Sequence, residues 1–149
     1  MNQNRNLFLV ILLFLTINTS LPAQEAARNV ILGNWLVQDR DAIVNIYESG
    51  DRFEGKIVWL KTPLNKQGTP MKDTNNVDKI LRKRPALGLA ILHGFAYTKD
   101  GSWENGTVYD PKNGKTYSCR ITAVNKNQLE IRGYIGIALM GRTEIWNRK

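Results

Sequence analysis

The chain has 149 residues, 42% of them hydrophobic, and a formal net charge of +8. Its single cysteine, Cys119, excludes an intramolecular disulfide, so stability has to come from packing, and a lone thiol of this kind is expected to be buried. The basic residues are spread over nearly every strand and turn and form no single stripe, which argues against a nucleic-acid partner and favours solubility or attraction to an anionic surface.

In chain order, Arg5 is the sole charge before residue 25, and an apolar run from Leu7 to Ile17 follows it. Small and turn-forming residues close the segment at Leu21-Pro22-Ala23. A positive start, a short apolar core and a small final residue form the pattern of a secretory signal peptide over residues 1–23, cleaved near Ala23. At about eleven residues the run is too short to span a bilayer, which takes roughly 20. No cysteine lies near the cleavage point to carry a lipid. One soluble, exported domain over residues 24–149, periplasmic or secreted, is the expectation, with a charge of +7 once Arg5 is lost.

Eight β-strands are predicted, near residues 33–38, 43–48, 52–61, 89–99, 102–110, 115–124, 128–134 and 142–147. Tight turns separate most of them: Ser49-Gly50-Asp51, Lys99-Asp100-Gly101, Asp110 to Gly114 and Asn125-Lys126-Asn127 all supply residues that tolerate positive φ or preset a bend. Short links make neighbours antiparallel, in a meander. In the sixth strand Tyr117, Cys119, Ile121 and Ala123 share one face and Thr116, Ser118, Arg120 and Thr122 the other. In the third, Phe53, Ile57 and Trp59 oppose Glu54 and Lys56. One side is core and the other faces water.

Residues 62–88 break this rhythm. A Pro/Asn/Gly-rich loop leads into Val77, Ile80 and Leu81 at helical spacing behind Asn76, so one short helix capped by Asn76 and ended by Pro85 is predicted. A long insertion in a tight meander is a natural lid or binding loop at a barrel mouth. The fold expected is all-β: an eight-stranded antiparallel up-and-down barrel with one short helix in a long loop, which leaves no exposed sheet edge. A two-sheet sandwich is the alternative.

Gly33-Asn34-Trp35 opens the first strand, and the last carries Arg142 and Arg148. This resembles the calycins, the lipocalin-like barrels, in which the opening tryptophan closes one barrel end under an arginine of the final strand. The resemblance implies structural closure by Trp35 with Arg142 or Arg148, a cation–π contact. A series of ordered motifs resembles more closely the bacterial exported family called domain of unknown function 2147. They include Gly55-Lys56-Ile57-Val58-Trp59, Asp73-x-x-Asn76, Arg84-Pro85, Gly106-x-Val108-Tyr109-Asp110-Pro111, Arg132-Gly133-Tyr134 and Gly141-Arg142-Thr143. The resemblance implies an exported calycin-like barrel and supplies no catalytic residue.

No catalytic set is expected. His93, the sole histidine, and Cys119 would have to meet across the barrel to make a nucleophile and base, and one His with one Cys cannot build a zinc site. Asp73, Asn76 and Asp78 offer hard oxygen ligands but lack the EF-hand spacing, so no metal and no cofactor is expected. Asp73 is expected instead to fix the loop. Lys79, Arg82, Lys83 and Arg84 form a basic cluster suited to solvent, a carboxylate, a phosphate or an anionic headgroup. The candidate binding residues are Trp59, Asp73, Asn76, Arg82, Arg84, Tyr109, Tyr117, Arg132 and Tyr134. A barrel of eight strands is just wide enough to be filled by its own side chains or to hold one small ligand, and Phe53, Trp59 and Tyr117 would fill it.

Two functions fit these features. One is a non-enzymatic, monomeric binding module of the bacterial envelope that holds a small apolar, amphipathic or anionic molecule. The other is a packed barrel whose basic surface docks on an envelope protein or membrane-surface partner. A connected cavity of about 300 Å³ or more separates the two.

Overall fold

A computed structural model describes residues 20–137 and 139–149. The expected signal peptide lies outside the described residues apart from residues 20–23, which begin helix α1 (Ser20–Asn29). The eight strands are β1 (Gly33–Leu36), β2 (Ala42–Ser49), β3 (Arg52–Leu60), β4 (Ala90–Tyr97), β5 (Ser102–Asp110), β6 (Lys115–Asn125), β7 (Gln128–Tyr134) and β8 (Gly141–Arg148). Each pairs antiparallel with the next, and β1 pairs with β8 through Trp35↔Arg148 and Leu36↔Asn147, so the meander closes into a barrel. The predicted strands stand, with shifts at their ends.

The two ends of the barrel differ. One end of the barrel carries α1, the segment after it and the tight turns β2–β3, β4–β5 and β6–β7. Trp35 is fully buried there, its Nε1 donates to the Ile31 carbonyl at 2.7 Å, and the Arg148 guanidinium lies 4.1 Å from the ring centroid. Arg148 also donates to the carbonyls of Leu32 (2.9 Å), Val30 (2.5 Å) and Lys126 (2.6 Å). Of the two arginines the sequence offered for closure, Arg148 therefore makes it. Arg142 sits at the opposite end of the same strand, 70% exposed. Arg28 of α1 completes the seal, 4.6 Å from the Phe53 ring and 2.5 Å from Glu48.

Above this plug the interior is packed by Phe53, Leu92, Phe95 and Trp103, all fully buried. Phe95 lies across the barrel because position 106 is glycine: a Cβ there would stand 2.5 Å from the ring. Phe53 and Trp103 meet edge to face at 6.4 Å. These large inward side chains fill the closed half.

The sequence prediction is corrected at two places. Residues 76–82 form no α-helix; the insertion contains a single 3₁₀ turn, Leu81–Lys83. Asn76 turns inward, its Oδ1 accepting from the Asp78 amide and the Asp78 carboxylate from the Ile80 amide, each at 2.8 Å. These local bonds compete with helical ones, and no core lies beneath Val77 or Ile80, both about four-fifths exposed. Trp59, expected inward, is exposed on the outer wall. The register steps from Ile43↔Trp59 to Val44↔Ile57, a bulge at Val58 that breaks the inward alternation of Phe53, Gly55 and Ile57.

A cavity at the open end of the barrel

The four remaining links, residues 37–41, 61–89, 111–114 and 135–140, gather at the other end of the barrel. Between them opens a cavity of about 1150 Å³. Its walls are apolar: Ala42 and Ile57 from β2 and β3, Ile91 and Val108 from β4 and β5, Ile131 and Trp146 from β7 and β8. Tyr109, Tyr117 and Tyr134, all proposed from the sequence, line it as well. Small inward residues, Ala42 on β2 and Gly133 on β7, leave room here between the aromatic walls of Trp146, Tyr117 and Tyr134.

Beside the polar residues of the mouth loops, β8 contributes two charged groups. Arg142, Glu144, Trp146 and Arg148 alternate along its inward face, so a guanidinium and a carboxylate stand above Trp146 in the cavity. Arg142 Nη2 lies 3.4 Å from Glu144 Oε1, and Trp146 Nε1 donates to Glu144 Oε2 at 3.2 Å. Glu144 was not singled out from the sequence. Its signal was legible all the same, because a carboxylate two residues before Trp146 shares the tryptophan's phase on a strand. Cys119, from β6, is buried on the interior side; burial, reinforced by the nearby Glu144 charge, pushes its thiol up to about 12.

Across the mouth, Lys112 of the β5–β6 turn reaches Asp39 (2.7 Å) and Asp41 (2.8 Å) of the β1–β2 turn. These turns stand on opposite sides of an eight-stranded ring, so the contact straps the opening. Partial burial pulls the Lys112 pKa down, but its bonds to the two carboxylates outweigh this and hold it above the ordinary value. The Lys112 hydrogen bond in turn holds Asp39 below the usual carboxylate range.

The remaining sequence candidates serve another purpose. Tyr109 borders the cavity beside Val108, but its hydroxyl is engaged beneath the 61–89 insertion, which keeps the residue buried. Beneath that cover the fully buried Asp73 accepts from Tyr109 Oη (2.5 Å), Asn76 Nδ2 (2.8 Å) and Arg84 Nε (2.9 Å), with Arg84 Nη2 at 2.8 Å. Burial, with the hydrogen bond and charge of Asp73, keeps the Tyr109 phenol protonated by raising its pKa. Arg82 donates to the Asn76 carbonyl at 2.6 Å. Asp73, Asn76, Arg82, Arg84 and Tyr109 therefore form one knot that fastens the insertion to β5. With both its oxygens engaged by side chains, Asp73 anchors the insertion to β5. Among the described residues no group of three or more His, Cys, Asp and Glu is placed to hold a metal.

A second tie comes from Asn75, whose Nδ2 donates to the carbonyls of Pro111 and Lys112, each at 3.1 Å. Gly114 makes that approach possible: its φ is +72°, and a Cβ would fall 1.8 Å from the Asn75 carbonyl oxygen. The insertion is thus a fixed rim. Arg132 is corrected too, because it donates to Thr143 Oγ1 (2.7 Å) and the Leu139 carbonyl (3.2 Å), bracing the 135–140 loop from outside the cavity. His93 is on the outer wall, 3.2 Å from Glu54, while Cys119 is inside, so the two do not meet.

A closed meander of eight strands, plugged at one end by a tryptophan under a guanidinium and hollow at the other, is a lipocalin-like barrel. The chain belongs to the family described as "Uncharacterized protein conserved in bacteria (DUF2147)", whose profile matches residues 33–148. Among solved structures it is similar to protein HP1028 from Helicobacter pylori, described as belonging to the lipocalin family. That match has a TM-score of 0.68 at 23% identity and covers 80% of this chain and 82% of the other. No curated protein matches.

Proposed function

We propose that this protein is an exported, non-enzymatic binding module of the bacterial envelope that holds one small amphipathic molecule inside the barrel. The open cavity of about 1150 Å³ carries the reading, since it far exceeds the space left by imperfect packing and matches the size of a small-molecule site. Its apolar walls suit a hydrocarbon or ring body. Arg142, Glu144 and the Tyr117 hydroxyl supply polar partners for one end of the ligand. The Lys112 strap slows exchange.

Export rests on the N-terminal sequence. The exposure of residues 22–27 is compatible with cleavage near Ala23, because Arg28 and Ile31, which seal the closed end, would remain.

The test is native mass spectrometry of protein recovered from its own envelope, together with titration by an environment-sensitive apolar dye. A retained small molecule that the dye displaces is the expected result. Substituting Ala42→Trp, which places an indole in the cavity, is expected to abolish dye binding and leave the fold intact. Dye binding that survives this substitution, with no retained ligand in repeated preparations, overturns the reading.

A further inference from the structure

We infer that the open end of the barrel is a docking surface for an anionic lipid bilayer. The inference goes beyond ligand binding in the cavity and does not depend on it. Among the described residues, thirteen large hydrophobic side chains are exposed. All but Val124 lie in the loops of the open end or in the last residues of β3. The most prominent are Ile135, Ile137, Leu139 and Met140 on the β7–β8 loop and Val77 and Ile80 on the insertion, each at least 60% exposed.

Charge follows the same polarity. The open-end loops carry nine basic side chains against four acidic ones, whereas the three turns of the closed end carry two of each. Much of the excess is free to act outward. Three of the four acidic groups are engaged internally, Asp73 by Arg84 and Asp39 and Asp41 by Lys112. Lys66, Lys79 and Lys83 are exposed and form no ion pair among the described residues.

The chemistry selects the occupant. Apolar side chains on separate loops, with cations between them, suit a fluid interface that takes each group where it stands, with headgroups meeting the lysines and acyl chains the loop tips. A second copy of the chain would bring one surplus of positive charge against another, which opposes association. Docking in this orientation sets the cavity mouth against the bilayer, so an apolar ligand passes between membrane and barrel without crossing water.

The experiment uses protein expressed from the full chain, with its processed N-terminus read by mass spectrometry, and vesicles of phosphatidylcholine with or without phosphatidylglycerol. Sedimentation is expected to show binding to the anionic vesicles, weakened by salt, and little to the neutral ones. The triple variant K66Q/K79Q/K83Q is expected to lose roughly a hundredfold in partitioning, at about fivefold per lysine near an anionic surface. The double variant I137S/L139S, which leaves the cavity lining intact, is expected to weaken binding while keeping the salt dependence. Val124→Ser, away from the patch, is expected to change nothing. Circular dichroism checks that each variant folds, and dye titration without vesicles is expected to be unchanged in all of them, which separates failure here from failure of the cavity reading. Three outcomes overturn the inference: equal binding to neutral vesicles, no binding, or binding that neither the lysine variant nor the loop variant reduces and which therefore lies elsewhere in the chain. Concentration-dependent dimerisation lost in the same variants would assign the patch to a second copy and overturn it as well.

Discussion

Replacing Asp73 by alanine removes the centre of the knot that holds the insertion against the barrel. Its carboxylate is fully buried and receives Tyr109, Asn76 and both reachable nitrogens of Arg84, all within 2.9 Å. Breaking a buried ion pair from one side costs about 3–5 kcal/mol. The Arg84 side chain is 36% exposed and can rehydrate, which sets the loss at the lower end, about 3 kcal/mol. For a domain of this size that is a large share of a total stability of roughly 5–15 kcal/mol. Asp73→Asn keeps the shape but turns an amide toward donors, and is expected to cost about 2 kcal/mol. Tyr109→Phe deletes one bond to a charged acceptor, at a similar cost of about 1.5–3 kcal/mol. The two substitutions share a partner, so the double variant is expected to lose less than their sum. Urea denaturation measures the losses, and amide exchange across residues 61–89 is expected to quicken before global unfolding. A loss under about 1 kcal/mol in Asp73→Ala, with the insertion still protected, refutes the idea that this knot fixes the rim.

The two arginines of β8 are expected to behave oppositely. Arg148→Ala removes the cation–π contact with Trp35 and three bonds to carbonyls, and is expected to lower stability by about 2–4 kcal/mol in urea denaturation, whereas Arg142→Ala changes it by under about 0.5 kcal/mol. Lys112→Ala opens the strap across the mouth; stopped-flow dye release is expected to quicken about fivefold, the equivalent of one exposed ion-pair interaction of about 1 kcal/mol, and unchanged release contradicts a gating role. Cys119 is expected to resist thiol reagents at neutral pH. Because its folded pKa is raised, the associated stability is complete below the unfolded value of 9.0 and is lost as pH rises toward about 12. Cys119→Ala should flatten that alkaline decline, as followed by urea midpoints across pH.

The strands were legible because period-2 alternation and turn residues are local signals. Thr116 to Ala123 could be read in phase directly. Trp59 could not, because the bulge at Val58 comes from matching β3 to β2, and a strand carries no mark of its partner's register. The short helix of the insertion shrinks to the 3₁₀ turn Leu81–Lys83 for a related reason. Its apolar spacing is genuine, but Asn76 is claimed by Asp73 and Tyr109 from elsewhere in the chain, and there is no core beneath Val77 and Ile80 to reward a helical turn.

The candidate site shows the same division. Tyr109, Tyr117 and Tyr134 reach the cavity, while Arg132 and the other residues of the Asp73 knot brace its rim from outside. Their residue types marked polar work that had to be done, without saying whether a ligand or the chain itself receives it. Glu144 went unnoticed because a lone carboxylate in a strand ordinarily points to water.

By itself the sequence determined an eight-stranded meander, a lone thiol fit for burial and a tryptophan at the start of the barrel with arginines at its end. Only the tertiary structure decided that Arg148 is the partner of that tryptophan, that one half of the barrel is plugged and the other hollow, and that exposed apolar and basic groups share the open end. Alternation and turn chemistry are written residue by residue, whereas the volume left inside a closed barrel depends on which side chains from eight strands meet at one level.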